Sequence, residues 1–167
     1  VPGTLYGKPA VPEITDVNEY APHMASVLHF DTKGGVGNLS GSNSLTATFL
    51  TENGEGFTRF QPSTDASDPY VFINLPSPTV KTEEYRFLLI KVRLDDGAPQ
   101  NGQIYFITDE CPISEPASVH FSYAGGTDWQ YVVIDLGSKP QYKGLLQTIR
   151  FDVFPSVSGS HYADVAY

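Results

Sequence analysis

Aromatic rings recur beside charged, hydrogen-bonding side chains in three stretches: Phe87 to Arg93, Gln103 to Thr108, and Trp129 to Leu136. A fourth stretch, Ile149-Arg150-Phe151-Asp152, sets a guanidinium and a carboxylate two residues apart. A ring offers a flat apolar face on which C–H groups can stack, while planar donors and acceptors suit hydroxyls. That pairing is the chemistry a sugar requires. The expected ligand contacts are therefore the rings of Trp129, Tyr131, Tyr105 and Phe87, with Arg93, Arg150 and Asp152 on hydroxyl groups.

Carboxylates form a second pattern. Asp31 follows the first expected strand and Asp164 lies in the last. Hard cations such as Ca²⁺ collect six to eight oxygen ligands, often carboxylates mixed with carbonyls. First and last strands are neighbours in jelly rolls, so Asp31 and Asp164 are the expected ligands of a structural Ca²⁺. Catalytic signals are weaker. His23, His29, His120 and His161 have no metal-ligand spacing, and Glu83-Glu84 and Asp109-Glu110 are adjacent pairs whose side chains diverge on a strand. Gly34-Gly35-Val36-Gly37 lacks the helix and lysine of a phosphate loop, and Cys111 precedes Pro112 with no basic neighbour. No catalytic residue is expected. A glycan hydrolase or lyase would need two carboxylates facing one groove, and no such pair is visible.

The elements that position these groups have the two-residue period of strands. Leu88, Ile90, Val92 and Leu94 share one face; Phe87, Leu89, Lys91 and Arg93 share the other. Val132, Ile134 and Leu136 oppose Trp129, Tyr131, Val133 and Asp135, and Ile149, Phe151 and Val153 oppose Thr148, Arg150 and Asp152. Further strands are expected at 26–31, 45–51, 57–60, 70–74, 103–108, 119–123 and 162–167, in all roughly nine or ten, the spacing of a sandwich or jelly roll. The fold class is all-β: an antiparallel two-sheet β-sandwich. Residues 1–25, with Pro2, Pro9, Pro12 and Pro22, read as a linker or edge segment, and 26–167 as one module.

Composition bounds the partners. Lys plus Arg total 10 against 19 Asp plus Glu, a formal net charge of −9. Such a surface repels phosphate backbones and anionic membranes, so neither nucleic acid nor a membrane is an expected partner. A single cysteine allows no intrachain disulfide. No apolar run approaches the ~20 residues of a spanning helix. The start at Val1 and the end in a strand-like run suggest a piece of a longer chain.

Several segments together resemble the galactose-binding-like β-sandwich of carbohydrate-binding modules. They are Asp68-Pro69-Tyr70, Tyr85 to Arg93, Ile104 to Thr108, Trp129-Gln130-Tyr131, Ile149 to Asp152 and Tyr162-Ala163-Asp164, with Leu28 to Asp31 as an early strand. The resemblance implies a calcium site at Asp31 and Asp164 and sugar on the concave sheet or at the loops of one edge. Relatives often carry a Trp before a Gly-x-Ile-x-x-x-Arg segment, where this chain has Tyr142 and Gly144. The expected function is non-catalytic polysaccharide binding within a larger secreted bacterial protein, tethered to other modules. The alternative is a structural or protein-interaction spacer without sugar affinity.

Overall fold

The structure is a computed structural model that describes residues 24–25, 27–75, 80–155 and 161–167. Apart from Met24 and Ala25, the expected linker over residues 1–25 lies outside the described residues. The described residues form eleven strands: β1 (Leu39–Asn43), β2 (Leu45–Glu52), β3 (Glu55–Pro62), β4 (Tyr70–Asn74), β5 (Val80–Lys81), β6 (Phe87–Leu94), β7 (Asn101–Thr108), β8 (Ser118–Ser122), β9 (Gln130–Asp135), β10 (Leu145–Asp152) and β11 (Ala163–Val165). Sheet one has the order β1-β4-β10-β7-β8, with β5 against β10, and sheet two the order β2-β3-β11-β6-β9. Every pairing is antiparallel. This is the two-sheet β-sandwich that the alternation implies. No helix among the described residues is long and apolar enough to cross a membrane.

The core lies between the sheets, filled by the inward half of each alternation. Ile104 and Phe106 of β7, Ile149 and Phe151 of β10, Val71 and Ile73 of β4 come from sheet one; Phe60, Val92, Leu94, Ile134 and Val165 come from sheet two. Phe60 bridges the layers, edge-on to Phe151 at 6.0 Å and to Phe30 at 5.6 Å. Each such ring contributes roughly 2–3 kcal/mol by leaving water. The β2–β3 hairpin turns on Asn53 and Gly54, with φ of 51° and 84°. Two left-handed residues make the primed turn whose twist matches flanking strands.

Two segments depart from the expected strands. Residues 27–31 form no strand, although Phe30 is buried in the core and its carbonyl accepts the Thr58 hydroxyl at 2.9 Å. A 3-10 turn at Lys33–Asn38 folds back on this segment, and a Cβ on Gly35 would lie 2.1 Å from the His29 carbonyl oxygen. Tight backbone packing replaces ladder bonds there. Conversely, β1, Leu-Ser-Gly-Ser-Asn, is a strand that its polar composition does not announce; as an edge strand it needs no apolar alternation.

Candidate functional site

The sandwich divides the expected ligand contacts between two opposite outer faces. Tyr105, Arg150 and Asp152 belong to sheet one; Trp129, Tyr131, Arg93 and Phe87 belong to sheet two or its margin. They cannot act as one constellation.

On sheet one, register sets Arg150 between Phe72 of β4 and Tyr105 of β7. Its guanidinium lies 3.8 Å from the Tyr70 ring centre and 4.8 Å from that of Tyr105. It donates to both Asp152 carboxylate oxygens, at 2.8 and 2.7 Å, and to Asp68 at 2.9 Å. Asp152 is only 3% exposed, and burial pushes its carboxyl above the usual range against the pull of Arg150. The Tyr105 hydroxyl donates to Glu115; burial and that bond raise the phenol to about 12, while the Tyr105 hydroxyl holds Glu115 below its usual value. Every charged group at the centre of this face already has an internal partner.

Sheet two is arranged differently. β11 places Asp164 opposite Arg59 of β3 on one side and Arg93 of β6 on the other. Arg59 donates to Asp164 at 2.7 and 3.0 Å, and Arg93 at 2.9 Å while also reaching Glu52 at 2.7 Å. The Arg93 bond is the main cause that lowers the Glu52 carboxyl. Arg93 lies 4.9 Å from the Trp129 ring centre and 5.1 Å from that of Phe57, and the two rings meet edge-on at 6.1 Å. Next along β6, the Lys91 amine is surrounded by rings: Trp129 at 5.5 Å, Tyr167 at 5.6 Å and Tyr131 at 5.9 Å. Among the described residues it meets no carboxylate. Phe87 stands apart, opposite Asp135 at the other end of β6, roughly 20 Å along the strand from Arg93 by ordinary strand rise. It borders an apolar cavity of about 150 Å³ with Met24, Val27 and Leu28.

An open polar cleft of about 350 Å³ adjoins the ringed amine, lined by Asp31, Gly54, Glu55, Gly56, Lys91, Trp129, Ala166 and Tyr167. Gly56 permits it: a Cβ there would lie 2.1 Å from the Asp31 carbonyl oxygen, so only glycine lets residues 30–32 lie against β3. Phe57, Arg59, Glu55 and Tyr167 were not anticipated from sequence. The alternation of Phe57 and Arg59 against the inward Thr58 and Phe60 carries that signal, but only the fold puts Tyr167 beside Lys91.

The residues do not fit the expected calcium site. Both oxygens of the fully buried Asp164 are taken by two guanidiniums, whose two positive charges outweigh the single carboxylate and leave no excess negative charge for a cation. Asp31 instead lines the cleft, 3.3 Å from His29 Nδ1. Among the described residues, no group of three or more His, Cys, Asp or Glu could hold a metal. Tyr142 is structural, its hydroxyl donating to the Tyr85 carbonyl at 2.7 Å and its ring edge-on to Phe106.

No family model matches the sequence, and no curated protein is significantly similar to it. Solved structures share its fold. An agarase, AgWH50C, superposes with a TM-score of 0.61 at 12% identity, over 85% of this chain and 25% of the agarase; this chain thus spans about a quarter of its length. A carbohydrate-binding module specific for non-crystalline cellulose, CBM28, superposes with a TM-score of 0.57 at 11% identity, over 86% of this chain and 92% of the module. The chain has the β-sandwich fold of such carbohydrate-binding modules.

Proposed function

We propose that this chain is a non-catalytic carbohydrate-binding module of a larger secreted protein, and that it holds a polysaccharide on the outer face of sheet two. One observation carries the reading: Trp129, Tyr131 and Tyr167 gather around Lys91 at the rim of an open polar cleft. Rings stack the C–H face of a sugar, Asp31 and Glu55 accept hydrogen bonds from hydroxyls, and the Lys91 amine donates them. The sandwich shared with CBM28 supports this assignment at the level of fold. The rings of sheet one, bound to Arg150, belong to the scaffold.

Calorimetry against a panel of β-glucans, xylans, mannans and galactans tests the proposal. At least one polymer should bind, and Tyr131→Ala should weaken it at least tenfold while leaving the melting temperature within a few degrees. Flat titrations across the panel would overturn it. A spacer without sugar affinity is the second reading, favoured by the packing of Trp129 on Phe57 and Arg93. On that reading Trp129→Ala unfolds the domain, and no glycan alters Trp129 fluorescence.

A further inference from the structure

Resting on the glycan-binding reading, we propose that the cleft beside Trp129 takes an acidic sugar, a hexuronic acid unit of a polysaccharide, and that Lys91 reads its carboxylate. Three cations stand close together on the outer face of sheet two: Arg59, Arg93 and Lys91. Both arginines are engaged by Asp164 and Glu52. Lys91 is surrounded by rings alone among the described residues. Ring faces attract an ammonium but take none of its three N–H bonds in the manner of a carboxylate oxygen. The amine is thus held in place with its donors unspent, in a chain of net charge −9. That overall charge is screened over about 8 Å at physiological salt, so selection at the cleft depends on the groups that line it.

Those groups are divided. Asp31 and Glu55 belong to the β3 side, since Glu55 opens β3 and the Asp31 carbonyl packs on Gly56. Lys91 belongs to β6. The chain that continues β11 runs between them: Lys91 N–H donates to the Tyr167 carbonyl at 2.6 Å, and Ala166 N–H donates to the Lys91 carbonyl at 3.0 Å. The acid wall and the amine wall therefore lie two strand spacings apart, roughly 10 Å. A hexuronate matches this polarity. Its carboxylate projects from one side of the ring and its vicinal hydroxyls from the other, while its C–H face can lie on Trp129 or Tyr167. An uncharged hexose satisfies the carboxylates but gives Lys91 only a hydroxyl. A sugar bearing anions on both sides meets Asp31 and Glu55 with like charge.

The test pairs a uronan with its own carboxyl-reduced form, so that backbone linkage and length stay constant. Oligogalacturonates and oligoglucuronates, each with its reduced neutral partner, are titrated calorimetrically in EDTA at low and high salt. At least one acidic oligomer should bind ten times more tightly than its neutral partner, lose that advantage at high salt, and lose it in Lys91→Met. Lys91→Arg should keep most of it. Equal or tighter binding of the neutral partners overturns the uronate assignment while leaving sugar binding intact. Binding of neutral polymers alone, with both uronan pairs silent, overturns it equally. Silence toward every glycan tested instead removes the broader reading on which this one stands. The wild-type comparison decides even if Lys91→Met fails to fold.

Discussion

Asp164 occupies an outward position of β11 yet has no exposed surface, because Arg59 and Arg93 close over it from both neighbouring strands. Removing one partner of a buried pair leaves uncompensated charge and costs about 3–5 kcal/mol; the partial exposure of the arginines places this site near the lower figure. Asp164→Ala should therefore lower the unfolding free energy by about 3 kcal/mol in urea denaturation, and Asp164→Asn by less. An unchanged midpoint would show that the ionic triad does not hold the face together. The sequence could not reveal these partners, which lie 105 and 71 residues away in the chain and meet Asp164 only through strand register. An isolated acid on a closing strand reads equally well as a metal ligand. Tyr105 gives a second residue-level test. Burial and Glu115 raise its phenol from the ordinary value near 10 to about 12, so the folded state holds this proton more tightly than the unfolded state. Its contribution to stability is complete below pH 10 and is lost as pH rises from 10 toward 12. In ultraviolet titration of phenolate, Tyr105→Phe should remove a late-ionising group and leave the early ones unchanged.

At the scale of elements, β3 depends on one close approach. With the Asp31 carbonyl where a Gly56 side chain would stand, Gly56→Ala must push residues 30–32 off the strand or distort its first turn. Overpacking of this kind costs about 1–3 kcal/mol. The same displacement moves Asp31 out of the cleft, so glycan affinity should fall by more than the stability loss alone implies, as read by calorimetry on the folded variant. Retained affinity would take Asp31 out of the ligand wall. Alternation made the long strands legible: β6, β7, β9 and β10 bury most of the residues their pattern turns inward, with Leu88 of β6 half-buried, while Gln103 of β7 is buried against its pattern. It misread residues 27–31, because a single large apolar side chain, Phe30, anchors them without any ladder. It passed over β1, whose residues lie mostly exposed at an edge. Inside and outside were readable, but the identity of the sheet was not. A period of two fixes which way a side chain turns, and says nothing about which layer its strand joins.

For the molecule as a whole, that missing information decides the binding surface. Taken strand by strand, the rings and arginines of the sequence form one constellation; the sandwich sets them back to back. Sheet one spends its charges internally, with Arg150 shared among Asp152, Asp68, Tyr70 and Tyr105. Sheet two keeps an amine among rings beside a cleft of about 350 Å³. A ligand on one face cannot touch the other across a packed core about 10 Å thick, so obstruction of each face separates the alternatives. Thr148 lies on the outer face of sheet one, paired with Asn74 and Ile107, and Val133 on that of sheet two, paired with Leu89. Replacing either half-exposed residue by arginine adds bulk without opening the core. Thr148→Arg should leave glycan affinity within about threefold, a change of less than 1 kcal/mol, whereas Val133→Arg should weaken it more than Thr148→Arg at matched melting temperature. The opposite order, with binding lost only when sheet one is obstructed, would move the site to Tyr105 and Arg150 and leave Trp129 a structural plug.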